Sequence, residues 1–236
     1  MWRLACVFSL LLPLAAKAQD CRLALVLALD VSSSVNAEED ALQRKGLAAA
    51  LLSPEVQRAF FAVDVPVALA VFEWSGRYNQ ELLLDWQLIG TREDLLNAAS
   101  VIGLSNRSHS EFPTAMGYAL GYGARLLSRA PACLFRTIDI AGDGINNEGF
   151  GPEQAYAQFP FADVTVNGLV VNNSDYEAER SLISFYRNSV IYGPGAFLEI
   201  AQSFEDYERA MRRKLERELT PRAVGFDQRP RNREPG

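Results

Sequence analysis

Five side chains with oxygen donors stand just beyond apolar runs or polar loops of this 236-residue chain. Asp30, Ser32 and Ser34 follow the run 23–29 (LALVLAL) as Asp-x-Ser-x-Ser. Thr114 closes the polar stretch 106–113 (NRSHSEFP), and Asp143 follows the run 134–141 (LFRTIDIA) within Gly142-Asp143-Gly144. Two carboxylates and three hydroxyls are hard donors, with no histidine or cysteine among them. Such a set, with water completing the shell, suits Mg²⁺ or Mn²⁺ better than zinc. Two negative charges leave a divalent cation under-neutralised. The ion is therefore expected to accept one more anionic ligand from outside, such as an Asp or Glu carboxylate of a protein partner. A plainer reading has Asp30 and Ser34 capping the next helix and Asp143 stabilising a turn.

The neighbouring segments must bring these residues together. The continuous apolar run 23–29 predicts a central parallel strand buried on both faces. Segments 67–74 and 134–141 predict further strands, and 164–171 another buried one. Segment 81–88 predicts a strand returning beside 67–74 across Ser75-Gly76-Arg77. Asn36, with Glu39 three residues on, is a capping-box signature for a helix to about residue 52, which Pro54 and the stretch 63–66 interrupt. Thr91 caps a helix to about 102. Further helices are predicted over 114–130, 153–159, 175–188 and 204–219, with a short strand at 197–201. Strands alternating with helices predict an α/β domain whose mostly parallel sheet is covered on both faces. Ligands in such sheets sit beyond the carboxyl ends of the strands, where strand order reverses. Asp30, Thr114 and Asp143 are expected to meet at that rim.

The first residues read as an export leader: Arg3, an apolar stretch 4–14, and Ala16-Lys17-Ala18 as the cleavage site, so that the mature chain begins at Gln19. The apolar stretch is too short to span a bilayer, and no later segment reaches that length. Residues 220–236 carry three prolines and four arginines with little apolar content and are expected to be a disordered tail, leaving 19–219 as the domain. Removing 1–18 takes Lys+Arg from 23 to 21 against 29 Asp+Glu, a net charge of −8. A chain this acidic is a poor nucleic-acid binder. Periplasm or full secretion are the expected destinations.

Asp30-x-Ser32-x-Ser34 after the first strand, followed in order by Thr114 and Asp143, resembles the metal-ion-dependent adhesion site of von Willebrand factor type A domains. All five positions match, and the resemblance covers residues 22 to about 219. It implies a doubly wound, Rossmann-like sheet of order 3-2-1-4-5-6 with one antiparallel strand, flanked by helices. It also implies that Ser32, Ser34 and Thr114 ligate through their hydroxyls, while Asp30 and Asp143 act largely through waters. Trp74-Ser75-Gly76, 142–147 (GDGINN) and 193–197 (GPGAF) further resemble an uncharacterised bacterial family of exported proteins of this type. In the implied order the strands leading to Asp30 and Asp143 are neighbours, about 4.8 Å apart. Cys21 and Cys133 then fall near the bottom of adjacent strands, and Cys6 leaves with the leader. A structural Cys21–Cys133 disulfide opposite the metal is expected, contributing about 3–5 kcal/mol.

The expected role is that of a non-enzymatic binding module. Loops 31–36, 105–114 and 144–151 would form its rim, with Ser33, His109, Glu111, Asn146 and Asn147 touching the partner. Other classes have less behind them. A serine hydrolase built from Ser32 or Ser34, His109 and Asp143 lacks the Gly-x-Ser-x-Gly elbow. A metal-dependent hydrolase lacks an evident general base. A structural envelope protein, in which the ion only stabilises the fold, is the third class. No Asp-x-Asp phosphotransfer motif or glycine-rich dinucleotide fingerprint follows the first strand.

Overall fold

Ten-residue and eight-residue apolar strands set the frame. The computed structural model describes residues 20–172 and 176–221; the expected leader and the tail beyond Pro221 lie outside them. Six strands, β1 (Cys21–Asp30), β2 (Val67–Trp74), β3 (Gln80–Ile89), β4 (Cys133–Gly142), β5 (Val164–Val171) and β6 (Leu198–Ala201), form one sheet in the order β3-β2-β1-β4-β5-β6. All neighbours pair in parallel except β3, which returns antiparallel to β2. This is the order and the single reversal that the resemblance implies.

Period-two alternation distributes β1 between two cores. Leu23, Leu25, Leu27 and Leu29 pack under α1 (Ala37–Leu52), α2 (Pro54–Phe60), α3 (Arg92–Gly103) and α7 (Tyr207–Leu219). Ala24, Val26 and Ala28 pack under α4 (Met116–Ser128), α5 (Pro152–Gln158) and α6 (Tyr176–Phe185). Both faces of the central strands are therefore covered, while the edge strands β3 and β6 stay partly exposed along their length. Cys21 and Cys133 are register partners on β1 and β4 with Cα atoms 4.5 Å apart, and they are joined as a disulfide at the end opposite Asp30.

Four local features differ from the expectations. The helix ending at Leu52 is followed at once by α2. Ser53 closes α1 through its N–H to the Ala50 carbonyl and then accepts from the Val56 N–H, with Pro54 in the first helical turn where a missing N–H costs nothing. Helix α4 starts at Met116, not Thr114, and its N-cap Ala115 offers no side-chain cap. Helix α6 gives way to a π-helical turn, Tyr186–Val190. The last helix opens with a 3₁₀ turn, Phe204–Asp206, before α7.

Candidate metal centre

Strand pairing delivers the acidic residues. β1 and β4 run in register to Leu29 and Ala141, so Asp30 and Asp143 leave adjacent strands side by side. The Val31 N–H donates to the Trp74 carbonyl (2.8 Å) and the Ala115 N–H to the Ser75 carbonyl (2.9 Å), which brings Thr114 over the same rim. The helix after β1 takes its cap from Asn36, in a capping box with Glu39. Asp30 and Ser34 are thus released from the capping role that the plainer reading gave them.

The five oxygens form a connected arc. The Thr114 hydroxyl donates to Ser32 Oγ (3.2 Å). Ser32 Oγ and Ser34 Oγ share a hydrogen bond of 3.1 Å, and the Ser34 hydroxyl donates to Asp143 Oδ1 (2.7 Å). Asp30 Oδ1 accepts the Ser32 N–H (2.8 Å). Asp30, Ser32 and Thr114 are buried and form the floor, while Ser34 is exposed and Asp143 half-buried. The arc is thus open to solvent on the Ser34–Asp143 side.

Charge is poorly compensated on this floor. Burial, then the neighbouring Asp143 charge, pushes the Asp30 carboxyl from 3.8 up to about 7, against the pull of the Ser32 bonds and Arg107. Burial, opposed by the Ser34 bond and reinforced by Glu39, also raises Asp143. Asp30 Oδ2 is buried with no hydrogen-bond partner among the described residues. An orphaned carboxylate oxygen beside a second carboxylate and three hydroxyls fits a hard divalent cation. Among the described residues no three His, Cys, Asp or Glu side chains gather to hold a metal, so any ion at this arc must rely on the hydroxyls.

Gly142 allows the two strands to close on this floor. A Cβ there would stand 2.7 Å from Asp30 Oδ2 and 2.8 Å from the Tyr186 hydroxyl. Gly142→Ala is therefore expected to displace Asp30, to cost about 1–3 kcal/mol of stability, and to weaken cation uptake. Thermal melts and titration calorimetry with Mn²⁺ would measure both effects.

Three supporting side chains escaped the sequence reading. The Arg107 guanidinium donates to the carbonyls of Val31 (2.6 Å), Ser32 (2.8 Å) and Val35 (2.7 Å), clamping the Asp30–Ser34 loop. Glu73, buried at the end of β2, accepts the Ser108 N–H (2.8 Å) and hydroxyl and pairs with Arg44 of α1. A charged residue inside an otherwise apolar strand must be paired, so Glu73 was legible. Tyr186 reaches Gly142 only because the π-helical turn places it there, and no local pattern announces that.

The expected rim residues divide. Ser33 and Glu111 are exposed. The Ser33 N–H donates to the Phe112 carbonyl, and Glu111 accepts the Ser110 N–H. His109 packs edge-on against Phe112, with centroids 5.1 Å apart. Asn146 and Asn147 have internal work: their Oδ1 atoms accept the N–H groups of Gly117 (3.4 Å) and Thr114 (2.9 Å). Asn146 thereby supplies the side-chain acceptor for the first turn of α4 that Ala115 cannot give, and Asn147 fixes Thr114.

A family profile described as a protein of unknown function, DUF1194, matches residues 20–223. No curated protein matches the chain significantly. Solved structures share the fold at low identity. A von Willebrand factor type A protein from Catenulispora acidiphila is 14% identical, with a TM-score of 0.58 over 84% of this chain and 43% of that one. Proximal thread matrix protein 1 from the mussel byssus, solved with a zinc-occupied MIDAS motif, is 16% identical, with a TM-score of 0.59 over 86% and 49%. The pilus adhesin SpaC from Lactobacillus rhamnosus GG is 13% identical, with a TM-score of 0.58 over 85% and 31%. The chain thus spans about half or less of the length of these structures, and the likeness is one of fold.

Proposed function

The chain belongs to the DUF1194 family of proteins of unknown function, and we propose that it is an exported binding module. Asp30, Ser32, Ser34, Thr114 and Asp143 would hold Mg²⁺ or Mn²⁺, which supplies an electrophilic point for a carboxylate of a protein partner. The observation that carries this reading is the buried, unpartnered Oδ2 of Asp30 in an arc of hydroxyls that ends at the half-exposed Asp143. Ser34 and Asp143 form the side from which a partner approaches. The loops bearing Ser33, His109 and Glu111 flank it, and Asn146 and Asn147 hold the far wall in place. An adhesin and a metal-bearing matrix protein among the fold neighbours support a binding role over turnover. The leader-like pattern of residues 1–18 and a disulfide suited to an oxidising compartment support export.

The test is a pull-down from envelope extracts of the native host with the mature chain immobilised. Partner retention is expected in Mg²⁺, and loss is expected in EDTA or with Asp143→Ala at unchanged circular dichroism. Retention that ignores both chelation and the substitution would refute the proposal.

A further inference from the structure

The end of the sheet opposite the metal centre carries an apolar cavity of about 220 Å³, walled by Leu23, Val63, Val65, Leu134, Phe135 and Pro221. Val63, Val65 and Leu134 stay exposed there, an arrangement that leaves apolar surface facing water. Two charged side chains also line the cavity, although each is more than nine-tenths buried: Arg22 is 8% exposed and Glu218 7%. Arg22 spends its Nη groups on the carbonyls of Leu219, Ala59 and Phe60. Glu218 gives Oε1 to Lys214 and Asn167. What remains is Arg22 Nε and Glu218 Oε2, both buried and without a hydrogen-bond partner among the described residues.

One orphaned donor and one orphaned acceptor in an apolar cavity match the needs of a peptide unit bearing apolar side chains, because buried polar atoms demand partners. The chain itself delivers such a segment. Thr220 and Pro221 are part of the wall, so the polypeptide leaves α7 at the cavity mouth. The next residues are Arg222-Ala223-Val224-Gly225-Phe226, and the residues after Phe226 are polar, charged, proline or glycine. Five extended residues span about 16 Å, enough to cross the cavity. We propose that this cavity is a peptide site taken by the chain's own residues 222–226, with Val224 and Phe226 as the anchoring side chains. The C-terminal segment thereby covers the disulfide end of the domain. This assignment does not depend on the metal reading.

Trypsin tests it on the mature chain. It can cut after Arg222, inside the proposed segment, and after Arg231, beyond it; Pro230 blocks Arg229. Cleavage after Arg222 is expected to be about tenfold slower than after Arg231, because the protease reaches only the released segment. Phe226→Asp, and separately Leu134→Asp on the wall, should raise the Arg222 rate toward the Arg231 rate and leave the latter unchanged. Equal rates in the unaltered chain, or protection indifferent to Phe226→Asp, would overturn the assignment. Protection that disappears on dilution would hand the cavity to a second copy's segment and overturn it equally.

Discussion

Asp30→Asn is expected to raise the melting temperature of the metal-free chain at about pH 8 and to abolish the rise that Mg²⁺ produces. In the folded chain burial and Asp143 push the Asp30 carboxyl from 3.8 to about 7. Between those values the folded state holds a proton that the unfolded state has released. Stability therefore falls as pH climbs through that window. Above about pH 7 the full penalty is present, on the order of 4 kcal/mol at 1.36 kcal/mol per unit. Asparagine keeps the Oδ1 acceptor for the Ser32 N–H and removes the charge. The metal-free gain of the variant should therefore shrink as pH is lowered toward about 4. A bound cation relieves the same penalty in the unaltered chain. At a hundredfold excess over Kd the gain is about 2.7 kcal/mol, or about 5–10 °C for a domain of this size. Melts at about pH 5 and pH 8, with Mg²⁺ and with EDTA, give four comparisons. A variant that still rises with Mg²⁺, or that is less stable than the parent in EDTA at pH 8, contradicts the cage.

The parts of the molecule legible in advance are those whose signal is local. β2 and β5 match the expected bounds to the residue because each is a mostly apolar run closed by polar or turn residues. The capping boxes at Asn36 and Thr91 mark the starts of α1 and α3 for the same reason: the side chains that satisfy the first N–H groups lie within three residues. Asp30, Ser32 and Ser34 sit within five residues, and once strand order is known Asp143 must join them. Ser53-Pro54 was an equally local start signal for α2, read only as an interruption. What stayed hidden depends on tertiary approach. Arg107 reaches carbonyls more than seventy residues away, Asn146 accepts from the first turn of a helix that begins thirty residues earlier, and Asn147 holds the Thr114 N–H just before that helix. Nothing in the segment that carries Asn146 and Asn147 names the backbone groups they satisfy.

Lys214→Met is expected to be the most damaging single substitution outside the metal centre. Lys214 is fully buried on α7, with its Nζ 2.5 Å from Asp139 of β4 and 3.0 Å from Glu218 one turn along its own helix. Asn167 of β5 donates to the same Glu218 carboxylate and accepts the Phe197 N–H (3.0 Å). One cation thus serves two buried carboxylates and joins α7 to the middle of the sheet. Burial, and then Glu218, already push the Asp139 carboxyl well above its ordinary range, while Lys214 pulls it back. Methionine fits the aliphatic space but leaves both carboxylates without their counter-ion. Breaking a buried pair from one side costs about 3–5 kcal/mol, roughly 6–20 °C here. The loss should be smallest at low pH, where Asp139 can take a proton in the folded state, and largest above neutrality. Asp139→Asn should cost less, because Lys214 keeps Glu218 and the amide oxygen can still accept its proton. Adding Asp139→Asn to Lys214→Met should recover part of the loss, since it removes one of the stranded charges. Urea unfolding of the three variants at about pH 5 and pH 8 reads all of this. Equal losses at both pH values, or no recovery in the double variant, would mean that the ammonium matters for its packing and not as the charge between two acids.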